Sequence, residues 1–258
     1  MTSNPLVSIV TPSYNQAEYL QATIKSVLAQ DYSNIEYIVI DGGSEDGSLE
    51  IIKKYSDRIT YWVSENDSGQ TEAINKGFSQ ANGEILAWLN SDDTYQPNAV
   101  SSAVQYLQDY PEVGMVYGDA NYIDANGKVI GSFPAMQTDY HRLRRGYVHI
   151  PQQSSFWRAS LADQVGPLDT DYSFAMDYDL WVRLARITNI KYHPAVWANF
   201  RLHQDSKTIA GDEGFWPEMI KNHRRDGGGN ISIIVAKFYL RKLLAPLVTW
   251  RRRRRVSQ

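Results

Sequence analysis

The sequence predicts an α/β fold with a mostly parallel central sheet and a C-terminal amphipathic helical tail. Three observations carry this. Short apolar strands alternate with amphipathic helices through the first half, which is how a parallel sheet covered on both faces is built. Each of those strands ends in a cluster of polar residues. A basic segment follows a Gly-Gly-Gly run at 227–229.

The elements read as follows. Val7 to Val10 is a short apolar run closed by Thr11-Pro12, a buried strand. Tyr19, Leu20, Ile24, Val27 and Leu28 recur near helical spacing, so roughly 16–30 is an amphipathic helix. Ile35 to Ile40 is a second strand and Ser48 to Tyr55 a helix. Ile59 to Val63 is a third strand. Ala73, Ile74, Gly77, Phe78 and Ala81 line one helix face, and Glu84 to Leu89 is a fourth strand. A helix starts near Pro97, with proline in its first turn. Beyond residue 110 the pattern loosens. Met115 to Ile123 and Lys128 to Phe133 flank Asp124-Ala125-Asn126-Gly127 as a hairpin, and 139–170 is mixed. Asp179 to Ile187 is a short helix with Leu180, Trp181, Leu184 and Ala185 on its apolar side, and Ile190 to Phe200 is extended. The expected organisation is one domain over 1–226, with a nucleotide-binding half at about 5–110 and an acceptor half at about 111–226. A basic tail follows at 227–258.

Composition narrows the chemistry. The 258 residues contain no cysteine, which excludes a disulfide scaffold, a thiolate zinc site and a cysteine nucleophile. The start, MTSNPLVSIVTPSYN, has no basic region before its apolar stretch and does not read as a signal peptide. The net charge of −3 hides a split. Residues 221–258 hold eleven lysines or arginines against one acid, Asp226; the other 220 residues hold fifteen basic and twenty-eight acidic side chains. An acidic body argues against nucleic acid as a partner, because a basic footprint would then lie on the folded domain.

The polar clusters Thr11 to Asn15, Asp41 to Gly47, Glu65 to Gln70 and Asn90 to Asp93 all follow strand ends. That edge of an open α/β sheet is where ligands bind. The first strand is not followed by G-x-G-x-x-G, and the chain has no P-loop, no G-x-S-x-G and no H-E-x-x-H. It is instead rich in carboxylates, notably Asp41, Asp46, Asp67, Asp92, Asp93, Asp177 and Asp179. Such ligands suit Mg²⁺ or Mn²⁺ bridging to a substrate phosphate. Singly, each feature has a plain structural alternative. Asp92-Asp93 can be an Asx turn before a helix, Asp41-Gly42-Gly43-Ser44 a tight turn, Tyr14 a surface tyrosine, and His203 a structural histidine.

The ordered set is more specific. T-P-S-Y-N (11–15), D-G-G-S-x-D-G (41–47), N-D-S-G-Q-T-x-A-x-N-K-G (66–77), N-S-D-D-x-Y-x-P (90–97), M-D-Y-D-L-W-V-R (176–183) and R-L-H-x-x-S (201–206) occur in sequence. Together they resemble the family-2 glycosyltransferases over about residues 5–206. The resemblance implies a GT-A fold, a Rossmann-like nucleotide-binding domain, and inverting glycosyl transfer from a nucleotide sugar, UDP being the commonest nucleotide. It implies Mn²⁺ or Mg²⁺ as cofactor. Pro12, Tyr14 and Asn15 would border the base, with Tyr14 packing on it, and Asp41 would accept a hydrogen bond from it. Ser44 and Lys76 join this nucleotide-binding set. Asp92 would contact the ribose, Asp93 would hold the metal, and His203 would be a further metal or diphosphate contact. Asp177 matches the general base, but Met176 replaces the acid that precedes it in the family, so the choice between Asp177 and Asp179 stays open. Gln152, Gln153, Trp157 and Arg158, with Asp179, fall to the acceptor or donor-sugar region.

The chemistry agrees: transfer needs a cation for the leaving diphosphate, a base for the acceptor hydroxyl and a nucleotide pocket. A nucleotidyltransferase would show a Gly-rich G-G-x-G-T-R-type loop where this chain has T-P-S-Y-N. A non-catalytic membrane-surface module would not need Asp93, Asp177 and His203 together. The family implies a glycan or lipid-linked acceptor at the cytoplasmic side of a bacterial membrane. Ile231 to Trp250 is mostly apolar, yet Lys237, Arg241, Lys242 and Pro246 argue against a span. The segment fits an interfacial helix, with Arg251 to Arg255 on anionic lipid, or a helix packed on the body with a solvated tail.

Overall fold

The computed structural model describes residues 4–203, 206, 214–240 and 242–244. Strand β1 (Val7–Ser13), helix α1 (Ala17–Leu28), β2 (Ile35–Asp41), α2 (Ser48–Lys54), β3 (Tyr61–Ser64), α3 (Gln70–Gln80) and β4 (Ile85–Trp88) alternate as expected. Next come β5 (Thr94–Tyr95), α4 (Ala99–Asp109), β6 (Val113–Ile123), β7 (Val129–Ser132), α5 (Tyr140–Leu143), β8 (Ser155–Arg158) and α6 (Ala162–Val165). Then α7 (Met176–Ile187), β9 (Asn189–Arg201) and α8 (Phe215–Arg225) follow. Residues 233–240 are helical.

The nine strands form one sheet, ordered β3-β2-β1-β4-β8-β6-β9-β5, with β7 beside β6. The block β3-β2-β1-β4 is parallel. Strand β8 then runs antiparallel to both β4 and β6, while β6 and β9 are parallel. Side chains in the parallel block alternate between two cores. Val7, Ile9, Tyr37, Val39, Ile85 and Ala87 face Leu20 and Ile24 of α1 and Val100 and Val104 of α4. Val10, Ile38, Ile40, Leu86 and Trp88 face Ala73 and Ile74 of α3 and Trp181 of α7. Period-two burial on both faces is the signature of a sheet sandwiched between helices.

Close approach explains one glycine. A Cβ on Gly77 would lie 2.3 Å from Val10 Cγ1, so α3 can lie against β1 only without a side chain there. The 227–229 glycines end α8. Gly227 has φ 77°, its N–H donates to the Arg224 carbonyl, and the Gly228 N–H donates to that of His223. This is the paired closure that satisfies the last carbonyls of a helix. The tail from Arg241 onward lies largely outside the described residues, and Arg251 to Arg255 wholly so. Among the described residues, no helix is long and apolar enough to cross a membrane.

Candidate active site

Register brings the first site loops together. Ser13, Asp41 and Ser64 are direct neighbours at the carboxyl edge of β1, β2 and β3. Asp41 is fully buried, and its carboxylate accepts hydrogen bonds from Ser44 N (2.9 Å), Ser44 Oγ (2.6 Å) and Ser64 Oγ (2.7 Å). A carboxylate with this many local donors is a frame for its loop. Asn15, at φ 49°, takes a left-handed turn; its N–H donates to Ser44 Oγ (2.8 Å) and its Oδ1 accepts from Glu45 N (2.9 Å). Asp46 Oδ2 accepts from Ala17 N at 2.8 Å. Burial opposes ionisation of Asp46, but the hydrogen bonds from Ala17 and Ser48 outweigh it and hold its pKa below the ordinary value. The loops after β1 and β2 are therefore one unit. Pro12 is buried at its base and Tyr14 stands 62% exposed at its rim. Lys76 is ion-paired with Glu65 beside this unit.

The second part of the site comes from β5 and β9. Thr94 and Tyr95 pair antiparallel with Asn199 and Ala198. Asp92 and Asp93 precede β5 and Arg201 ends β9, so the pairing sets the two segments side by side. Arg201 organises them: its N–H donates to Asp93 Oδ1 (2.8 Å), its Nε to the Asp92 carbonyl (2.8 Å) and its Nη1 to the carbonyls of Asp124 (3.0 Å) and Ala125 (2.9 Å). Its guanidinium lies 4.8 Å from the Tyr19 ring centroid. On the other side, Thr23 Oγ1 is 2.8 Å from the Ser91 carbonyl and 2.7 Å from that of Asp93.

The two acids then part: Asp92, expected at the ribose, stands beside His203, and Asp93, expected at the metal, is buried. Asp93 is 1% exposed, and burial, reinforced by the neighbouring Asp92 carboxylate, raises its pKa well above the usual range. Asp92 instead presents its Oδ2 to His203 Nε2 at 3.0 Å. Asp92 lies in a turn closed by the Asp93 N–H on the Asn90 carbonyl (3.1 Å), and this turn aims the two side chains at different partners. Asp92 and His203 are therefore the side chains here that stand close enough to share a cation, while Asp93 Oδ1 accepts from the Arg201 N–H at the end of β9. Donors about 2.1 Å from an octahedral ion lie roughly 3.0 Å apart in cis positions, so the observed separation fits one shared cation. Among the described residues no group of three or more His, Asp or Glu side chains could hold a metal. Such an ion would draw its remaining ligands from substrate and water.

Three further expectations are corrected. Asp179 is fully buried: its Oδ2 accepts from Arg183 Nε (2.8 Å) and its Oδ1 from Asn222 Nδ2 (2.9 Å) and Arg225 Nη1. It clamps α7 to α8 and cannot receive a substrate. Trp157 is 3% exposed inside the sheet, edge-on to Phe78 at 5.8 Å, and is core. Arg158 pairs with Ile85 at the opening of β4, the edge away from the site, and donates to the carbonyls of Val113 (2.8 Å) and Leu107 (2.5 Å). It closes the end of α4. Gln152 is at the right edge, its Nε2 donating to the Trp88 carbonyl (2.7 Å); its Oε1 and the Nε2 of neighbouring Gln153 are buried without protein partners.

Asp177 sits half-buried in the first turn of α7, with its Oδ1 accepting from Tyr178 N at 2.7 Å. Met176 beside it is 6% exposed in the core, so an apolar residue suits that position. The turn is held by a residue the sequence did not reveal. Glu218 of α8 accepts from the N–H groups of Ser173 (2.9 Å), Phe174 (2.9 Å) and Ala175 (2.7 Å). Arg201, Thr23 and Asn90, whose Oδ1 accepts from Gln70 Nε2 at 2.8 Å, were likewise not assigned roles. Asn90 and Arg201 stand within the recognisable motifs, whereas nothing in the spacing points to Glu218 or Thr23.

The family model described as glycosyl transferase family 2 matches residues 8–176. A glycosyltransferase of Mycobacterium tuberculosis is 35% identical over 190 residues, 72% of this chain and 71% of that protein. One from Rickettsia typhi is 32% identical over 235 residues, 85% of this chain and 73% of that protein. Among solved structures, Staphylococcus aureus TarS 1–349 in complex with UDP-GlcNAc superposes with TM-score 0.71 at 17% identity, covering 91% of this chain and 71% of that one. The mannosyltransferase PcManGT of Pyrobaculum calidifontis, in complex with GDP-Man and Mn²⁺, superposes with TM-score 0.68 at 18% identity, over 99% and 75%. These two share the GT-A architecture expected from the motifs. The chain belongs to glycosyl transferase family 2 and is a glycosyltransferase.

Proposed function

We propose that this enzyme transfers a sugar from a nucleotide-sugar donor, of UDP type, to a hydroxyl of a glycan or lipid-linked acceptor with inversion at the anomeric carbon. The nucleotide sugars in the TarS and PcManGT structures support the donor class. The observation that carries the reading is the Asp92–His203 pair, 3.0 Å apart, at the sheet edge that also holds the Asn15–Ser44 loop unit. Pro12, Tyr14 and Asn15 border the base, with the exposed Tyr14 ring as its platform. Asp41 and Ser44 keep that loop in shape, and Lys76 stands beside it. Asp92 and His203 hold the cation, which when bound stabilises charge on the leaving diphosphate. An imidazole ligand favours manganese over magnesium, which prefers oxygen.

Asp177 is the base. The acceptor oxygen forms its bond to the anomeric carbon as the bond to the nucleotide diphosphate breaks, and the acceptor proton passes to the Asp177 carboxylate. One displacement without a covalent intermediate inverts the centre. Gln152 and Gln153, with buried polar atoms that have no protein partner, border the donor sugar or acceptor. The body, 1–226, works at the inner face of the cell membrane, with 227–258 as its contact with anionic lipid.

The test is turnover of purified protein with UDP-, GDP- and dTDP-sugars, with Mn²⁺ or EDTA, followed by release of the nucleoside diphosphate. Donor cleavage that depends on Mn²⁺ and is lost in Asp92→Asn is expected. Full activity in EDTA defeats the metal reading, and formation of a nucleotide sugar from a sugar phosphate and a nucleoside triphosphate defeats the transfer reading.

A further inference from the structure

The start of the C-terminal helix is seated on the body. Ile234 is fully buried, close to the Gly146 backbone and Met219, and the Lys237 ammonium lies 3.5 Å from the Tyr147 ring centroid. This seating closes one wall of a cleft of about 260 Å³, lined by His141, Arg144, Arg145, His223, Ser232 and Ile233. No carboxylate lines it. Arg144 donates through Nη2 to the Asp226 carbonyl (3.0 Å), yet its buried Nε has no partner. His141 and Arg145 are exposed.

Beside the cleft the same helix turns an apolar stripe to solvent, beginning with Ile233 at the cleft's edge. Ile233, Ala236, Leu240 and Leu243 follow one another at helical spacing and are all exposed, Leu240 at 58% and Leu243 at 79%. A helix that turns apolar residues to solvent beside a cationic cleft matches the two layers of a membrane surface, acyl chains and charged headgroups. The charge of the remaining chain selects the sign: residues 221–258 hold eleven basic side chains against one acid.

We infer that the cleft between residues 141–145 and the start of the C-terminal helix binds the phosphate of an anionic lipid headgroup while the Ile233–Leu243 stripe enters the bilayer. Arginine forks and imidazoles are the donors that phosphate oxygens require. This inference rests on the membrane-surface reading above and adds to it a defined headgroup site on the folded body.

The test uses the full chain and sedimentation with phosphatidylglycerol–phosphatidylcholine vesicles, with phosphatidylcholine alone as control. Binding to the anionic vesicles only is expected. His141→Gln with Arg145→Gln, both at exposed positions, should weaken it about fivefold or more, since one arginine near the surface contributes roughly 1 kcal/mol. Leu240→Ser with Leu243→Ser should weaken it as well. Glycerol 1-phosphate, the headgroup phosphate without acyl chains, should weaken binding of the parent to anionic vesicles more than sodium chloride of equal ionic strength does. If the two salts act alike, the cleft takes no phosphate and the headgroup site is overturned. If Arg251–Arg255→Ser abolishes binding while the His141/Arg145 variant binds like the parent, the headgroup site fails and the surface reading stands. If the full chain binds no vesicles, both fall. Self-association abolished by the leucine changes, without vesicle binding, makes the stripe a contact between copies and likewise overturns the proposal.

Discussion

At the level of single residues, two pairs of aspartates, Asp92 with Asp93 and Asp177 with Asp179, show how burial and direction divide similar groups. Asp92 faces His203, so Asp92→Asn should remove Mn²⁺-dependent donor binding and transfer together. Asp93→Asn should keep both, because an amide oxygen accepts the Arg201 N–H as the carboxylate does. Calorimetry of donor binding with and without Mn²⁺ reads the difference; equal losses in the two variants would contradict the geometry. Asp177→Asn should leave donor binding intact and cut turnover by roughly 10²-fold or more, the usual contribution of a positioned base. Asp179→Asn should act on stability instead, since it disturbs a buried carboxylate shared by Arg183 and Arg225. Breaking such a pair costs about 3–5 kcal/mol, visible as a lowered denaturant midpoint. The sequence left Asp177 and Asp179 as rivals because they are two steps apart on one helix. Only the packing of α7 on α8 separates them.

Elements place these residues, and here the sequence was readable in part. The first three strand–helix alternations were legible because each strand is an apolar run bounded by turn residues, although β3 starts at Tyr61 and α7 at Met176 rather than where the patterns began. Strand β8 was hidden. Its four residues, Ser155 to Arg158, lie between short 3₁₀ turns and show no alternation, yet they sit mid-sheet. That is why Trp157 and Arg158 looked like site residues. Two further forces were invisible because they are long-range. Glu218 supplies acceptors to the segment before α7; Glu218→Ala should cost about 1–2 kcal/mol, as loss of a helix cap does, and lower kcat more than it raises KM. Glu36 joins Ser8, Asn82 and thereby β1, β2 and the turn before β4. Burial would raise its pKa, but the bonds from Asn82 and Ser8 prevail and lower it from 4.5. A lowered carboxylate favours the folded state above its unfolded pKa, and that contribution disappears as pH falls through the folded value. Glu36→Gln should therefore lose stability at neutral pH and show a flatter decline below about pH 4.5; parallel acid limbs for the two proteins would disprove the coupling.

Across the whole molecule, the site is an assembly of distant segments. The loops after β1 and β2 form one rigid unit, the Asp92 turn and β9 a second, and α7 with α8 a third. The motif order announced that these segments belong together, because residues at one sheet edge meet wherever they stand in the chain. It could not announce which atoms meet, since that depends on the β5–β9 register and on Arg201. In the proposed site Asp92 and His203 are the two protein ligands among the described residues, and this has a thermodynamic consequence. An ion held by Asp92 and His203 alone would leave most of its ligands to water, so Mn²⁺ without nucleotide should bind weakly and shift Tm little. A nucleotide diphosphate offers oxygens to complete the ion while its base rests on the separate Asn15–Ser44 unit. Mn²⁺ and UDP together should therefore raise Tm by more than the sum of their individual shifts. The scale follows from mass action: a ligand at about a hundred times its Kd stabilises by roughly 2.7 kcal/mol. The excess must vanish in Asp92→Asn and in His203→Ala, while UMP, which lacks the second phosphate, should shift Tm similarly in the parent and in both variants. Additive shifts in the parent would mean that metal and nucleotide occupy independent sites, and the arrangement drawn from the Asp92–His203 contact would be wrong.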